Sequence, residues 1–131
     1  MDPLIYGPPT RLDDPTQPVV MFALEWCEFC WSVRRMLAHH EIAYRSVDLD
    51  SVAYQAEDLG ARIRTALNAR TGMQTIPQIF IGGELVGGCT ELFDAQRSGR
   101  LTELLQGHGV EYDREVSVDP YSFLPGWLQP R

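Results

Sequence analysis

The 131-residue chain has no lysine; all eleven of its basic residues are arginine. Against eighteen acidic residues this leaves a formal net charge of -7 and a sequence pI of about 4.8. A phosphate backbone is repelled by such a field, so nucleic acid is not expected as a partner. No apolar run approaches the roughly 20 residues that span a bilayer, and no membrane partner is expected either. Cysteine is scarce: three residues, an odd number, with no apolar signal segment ahead of them. That pattern reads against a secreted disulfide scaffold and for a reducing, cytoplasmic compartment. Structural zinc needs four ligands, and beyond one paired spacing the chain offers a single further cysteine and three histidines, none of them paired in that way. Internal repeats and low-complexity tracts are missing as well. At 44% hydrophobic residues, one domain with a real core and two tails is the expected organisation.

What is present centres on Glu25-Trp26-Cys27-Glu28-Phe29-Cys30. The two cysteines follow a buried-strand pattern and open a helical one, which puts Cys27 at a helix N-terminus and Cys30 one turn further on. Unpaired main-chain N–H groups and the helix dipole favour a thiolate at the first position. Glu25 and Glu28 oppose that effect by like charge, and the dipole is expected to outweigh them. Cys30, deeper in the helix, is placed to attack a mixed disulfide formed on Cys27.

Residues 1–18 hold five of the nine prolines and read as an irregular arm, disordered in preference to docked. Val19–Leu24 is a continuous apolar run suited to a central strand. A helix is expected from Glu28 to His40, with Phe29, Val33, Met36, Leu37 and His40 at helical spacing and Arg34, Arg35 and His39 interspersed, so that one face packs and another meets water; His39 and His40 read as surface or helix-end residues. Tyr44–Leu49 reads as a second strand, parallel to the first. Asp50 or Ser51 is placed to cap a long helix that ends at Gly72 and breaks or kinks at Gly60. Gln78–Ile81, Gly82-Gly83 and Glu84–Val86 form a hairpin with a two-residue turn, ended by Gly87-Gly88. One or two helices follow from Thr90 to Leu105, with Gly99 as the interruption. Residues 107–131 are acidic and then aromatic, through Tyr121, Phe123 and Trp127, and are expected to pack on their own domain in preference to a partner.

The CxxC after a buried strand, the tripeptide Thr75-Ile76-Pro77, and Gly87-Gly88-Cys89-Thr90-Glu91 together resemble the glutaredoxin family over residues 19–106. The resemblance implies a thioredoxin-like α/β fold, a four-stranded mixed sheet flanked by helices. It also implies glutathione-dependent thiol–disulfide exchange, with Cys27 as nucleophile and Cys30 as resolving thiol. Pro77 would be cis and face the CxxC, leaving the main chain of Ile76 to align the cysteinyl part of glutathione. Gly88 and the N–H groups around Cys89 and Thr90 would take the γ-glutamyl carboxylate, with Glu91 beside them, and Gln74 would belong to the glycyl end of the site. Cys89 itself reads as a small buried residue.

Two departures bear on affinity. Leu24 and Gln74 stand where the family often has cations for the glycyl carboxylate, a loss of ~0.5 to 2 kcal/mol; Arg70 is the candidate substitute. Glu28 replaces the proline common inside the motif. The expected partners are glutathione and disulfide-bearing or glutathionylated proteins, with the chain a monomer. Two alternatives stand beside this reading. One is an iron-sulfur module, in which Cys27 of two subunits and two glutathiones hold a two-iron, two-sulfur cluster. The other is a thioredoxin-like electron donor to one partner enzyme.

Overall fold

The computed structural model describes residues 3–7, 10–112 and 119–126. Four strands, β1 (Val19–Ala23), β2 (Arg45–Asp48), β3 (Gln78–Ile81) and β4 (Glu84–Gly87), lie in the order β2-β1-β3-β4. The β1–β2 pair is parallel, Val20 opposite Arg45, whereas β3 runs antiparallel to both β1 and β4. The expected mixed sheet is thus observed.

Every residue of β1 is buried because the sheet is covered on both faces, and side chains alternate between them. Val19, Met21, Ala23, Ile79 and Ile81 enter a core built with α2 (Glu28–His39), α4 (Cys89–Ser98) and α5 (Arg100–Gly107). Val20, Phe22, Val47 and Phe80 enter a second core with α3 (Leu59–Thr71). Gly82 and Gly83 turn the hairpin at φ 61 and 81°, and Gly99 separates α4 from α5 at φ 84°.

Two expectations fail here. The long helix does not start at Asp50 or Ser51: two short 3-10 turns, Val52–Tyr54 and Ala56–Asp58, precede α3. The break falls at Glu57 and Asp58, both left-handed at φ 56 and 55°, and α3 runs unbroken through Gly60. Gly60 instead serves close packing, since a Cβ there would lie 1.9 Å from the Leu49 carbonyl oxygen.

The described residues of the arm are docked, not disordered. Pro3–Tyr6 forms a short helix, α1, whose Ile5, together with Leu12, is buried in the α3-side core. Arg45 donates to the Thr10 carbonyl at 3.1 Å, and the Leu12 N–H donates to the Ile5 carbonyl at 3.0 Å. Local proline content misreads this segment because its order comes from a surface made by distant residues. At the other end Phe123 and Leu124 are buried in the α2-side core, as self-docking requires. Arg97 pairs with Asp119 at 2.9 Å, and the Tyr121 hydroxyl donates to Asp94 at 2.7 Å. Trp127 and Leu128, also expected to dock, lie outside the described residues. His40 is buried, so of the two histidines only His39 is a surface residue; its ring lies 5.3 Å from that of Phe123.

Candidate active site

Cys27 is the N-cap of α2, in extended conformation, and its carbonyl accepts the first helical hydrogen bond, from the Trp31 N–H at 2.8 Å. Its side chain makes no cap bond, so the thiol is left half-exposed at the helix N-terminus. The loop that delivers it is fixed from two sides. Arg34 donates to the Leu24 carbonyl at 3.1 Å and to Asp48 at 2.8 Å, and the Glu25 N–H donates to Asp50 at 2.8 Å. Arg34 is therefore a brace, not the water-facing residue that helical spacing predicts.

Cys30 and Cys89 are both buried and free. Burial pushes the Cys30 thiol up to about 12; the Leu24 main chain offsets this in part and the neighbouring Cys27 adds to it. Cys89 is pushed up to about 12 by burial first, then by the charges of Cys27 and Glu91. Cys27 packs against the core cluster that contains Cys89.

A cleft of about 350 Å³ is lined by Phe29, Met73, Thr75, Ile76, Pro77, Gly88, Cys89, Thr90 and Glu91. It gathers nearly every residue expected to hold glutathione, and the Ile76–Pro77 bond is cis. Gly88 permits the approach of the β4 end to this loop: a Cβ there would stand 3.3 Å from the Pro77 carbonyl oxygen. Glu91 folds back over Gly87 and accepts a hydrogen bond from the Thr90 hydroxyl at 2.6 Å. Gln74 is exposed and does not line the cleft.

Three further residues matter. Arg70 is not the substitute cation: it donates to the Gly83 carbonyl at 3.1 Å and stacks 5.2 Å from the Tyr6 ring, beyond the end of the sheet away from Cys27. Among the described residues Arg64 is a cation that reaches the segment between Met73 and Thr75, donating to the Gln74 carbonyl at 3.2 Å. Its position on α3 carries no local signal, since only the packing of α3 brings it there. Gln78 is fully buried, and its amide donates at 3.1 Å to the carbonyls of both Met73 and Thr75. It thereby pins the strap that carries Thr75 and Ile76. The signal available for it was a polar side chain inside an apolar strand.

Comparison with known proteins agrees with this geometry. A family model described as Glutaredoxin matches residues 19–86. The chain is 36% identical over 95 residues to Glutaredoxin-C4, chloroplastic, of Oryza sativa subsp. japonica, covering 72% of this chain and 68% of that one. Among solved structures, the buckwheat glutaredoxin-glutathione complex superposes with a TM-score of 0.66 at 32% identity, over 74% of this chain and 84% of that one. The holo form of glutaredoxin C1 from Populus tremula x tremuloides gives 0.64 at 32% identity, over 74% and 91%. With its motifs gathered around one cleft on a thioredoxin-like fold, and with matches of this extent, the chain belongs to the glutaredoxin family.

Proposed function

We propose that this chain is a glutathione-dependent thiol–disulfide oxidoreductase that reduces protein–glutathione mixed disulfides and protein disulfides. The observation that carries the reading is the half-exposed Cys27 at the N-terminus of α2, whose Phe29 lines one cleft with Thr75, Ile76, Pro77, Gly88, Thr90 and Glu91. The Cys27 thiolate attacks the glutathione sulfur of the mixed disulfide. The protein–sulfur bond breaks, the protein leaves as a thiolate that takes a proton from water, and Cys27 becomes glutathionylated. A second glutathione thiolate then attacks that sulfur, releasing Cys27 and forming glutathione disulfide. Net, one free glutathione is consumed per mixed disulfide: it is oxidised into glutathione disulfide with the glutathione of the substrate, and the protein sulfur is reduced to a thiol.

Each part of glutathione meets matching chemistry. The γ-glutamyl end carries a carboxylate for the open N–H groups at the start of α4 and an ammonium for Glu91. The main chain of Ile76 pairs with the cysteinyl residue. Arg64, beside Gln74, is the cation available for the glycyl carboxylate. Cys30 is buried and held as a thiol at neutral pH, which favours the route through Cys27 alone for mixed disulfides and reserves Cys30 for protein disulfides. Three cysteines, an odd number, suit a reducing compartment such as the cytoplasm, and a monomer suffices for this chemistry.

A second reading is favoured by the similarity to the holo glutaredoxin. Cys27 is the accessible thiol, whereas Cys30 and Cys89 are buried, and among the described residues no three metal-binding side chains gather. An iron-sulfur cluster would therefore take Cys27 from this chain and its remaining ligands from glutathione and a second copy.

The test is glutathione-coupled reduction of a small mixed disulfide by the wild type, Cys27→Ser and Cys30→Ser, on anaerobically purified protein with its visible spectrum recorded first. Loss with Cys27→Ser and retention with Cys30→Ser is expected. An inactive, brown wild type would move the assignment to the cluster module, and an inactive, colourless one to a thioredoxin-like donor for a partner enzyme.

A further inference from the structure

Cys27 lines a second cleft, of about 370 Å³, together with Glu25, Trp26, Glu28, Trp31 and Arg34. None of these residues but Cys27 has a part in the reaction proposed above. Trp26 is 91% exposed and Trp31 47%, an unusual display of indole surface beside a nucleophile. Glu25 and Glu28 are exposed, and neither enters an ion pair among the described residues. The one cation in the lining, Arg34, is already spent on Asp48 and the Leu24 carbonyl. Asp50, bonded to the Glu25 N–H, adds a third carboxylate at the rim.

Indole faces edged by carboxylates are poor partners for an anion and better than a plain apolar patch for a cation. Trp31 already demonstrates the preference, because the Arg35 guanidinium lies 4.6 Å from its ring centroid. The C-terminal segment sets that contact: Arg35 donates to the Phe123 carbonyl at 3.0 Å and stacks 5.6 Å from the Phe123 ring. The remaining indole surface of Trp31, with Trp26, is open to the cleft.

We infer that this cleft is the subsite for the protein half of the mixed disulfide and that it selects a cationic side chain, arginine above all, within two residues of the cysteine being reduced. The inference rests on Cys27 being the attacking thiol. Glutathione then occupies the cleft of Ile76 and Glu91, while the protein segment lies on the opposite side of Cys27, over Trp26 and Trp31.

The test uses three glutathionylated hexapeptides that differ only in carrying Arg, Ala or Glu two residues from the cysteine. Their kcat/KM values are each divided by the same protein's rate on the glutathione mixed disulfide of 2-mercaptoethanol, whose leaving half is small and uncharged. The Arg peptide is expected to exceed the Glu peptide about tenfold and the Ala peptide about threefold at low salt, with the Arg/Glu ratio shrinking at high salt. Trp26→Ala and Glu25→Gln each move the Arg/Ala ratio towards one. Equal ratios in the wild type, with normal turnover of the small disulfide, overturn the inference and leave the proposed function standing. A binding measurement keeps the two apart if turnover fails altogether. On unreactive Cys27→Ser, the reduced peptides are titrated against tryptophan fluorescence; the Arg peptide should bind several-fold tighter than the Ala peptide, and equal affinities again overturn the inference. Self-association in sedimentation that Trp26→Ala abolishes would assign the indoles to a second copy of the chain, and would overturn it too.

Discussion

Cys27, Cys30 and Cys89 differ first in their access to water, and that difference has a sign at high pH. Burial holds Cys30 and Cys89 at about 12, above the roughly 8.5 of a thiol in an unfolded chain. Below that unfolded value both states keep their protons and the stabilising effect is fully present. As pH rises from there towards 12 the unfolded chain loses protons first, so stability falls, by at most about 1.4 kcal/mol per pH unit for each thiol. Desolvation raises Tyr44 and Tyr54 as well, with the same sign, so the wild type alone does not isolate the thiols. The stability difference between the wild type and Cys89→Ala should therefore shift against the wild type between pH 8 and 11 in urea titrations; a constant difference would remove Cys89 from the account. Gln78 offers a second test at this scale. Its two bonds to the 73–75 strap are each worth about 0.5 to 1.5 kcal/mol, so Gln78→Leu should raise the KM for glutathione about three- to tenfold. A change confined to kcat would place its role elsewhere. Of these residues the CxxC was legible in the sequence, since its chemistry is local. The role of Gln78 was not, because it depends on where the 73–75 segment comes to rest.

Gly60 shows how an element's sequence and its packing can disagree. Inside α3, alanine is favoured over glycine by about 1 kcal/mol, and on that ground Gly60→Ala stabilises. Its Cβ, however, would meet the Leu49 carbonyl oxygen at 1.9 Å and the carbonyl carbon at 3.0 Å, both main-chain atoms with little freedom to yield. Overpacking of that kind costs about 1 to 3 kcal/mol, so the clash is expected to win and the variant to be less stable, as read from its denaturant midpoint. A gain in stability would mean that the 49–60 contact is loose. Elsewhere the element boundaries followed local rules closely. The two-residue glycine turn, the left-handed stop at Gly72 and the break at Gly99 all lie where turn chemistry puts them. The segment 50–58 departed from its pattern because Asp50 bonds the Glu25 N–H and is not left to cap a helix.

For the whole molecule, the two flanking segments serve opposite faces of one sheet. Ile5 is buried on the side of α3, and Phe123 on the side of α2 and α4. Ile5→Ala should cost about 2 to 5 kcal/mol and Phe123→Ala about 3 to 5 kcal/mol. With no shared partners the two losses should add to within about 0.5 kcal/mol in the double variant, by urea unfolding. A negligible cost for Ile5→Ala would mean an undocked arm. The sequence by itself determined the order of strands and helices, the place of the thiols at a helix start, and the motifs of the glutathione cleft, because periodicity and turn residues act over a few positions. The tertiary structure decided that the described residues of the proline-rich arm are part of the fold, that Arg64 and not Arg70 reaches the Gln74 carbonyl, and that Trp26, Trp31 and two carboxylates share a cleft with Cys27. Those outcomes depend on surfaces assembled from residues distant along the chain, to which local propensity is blind.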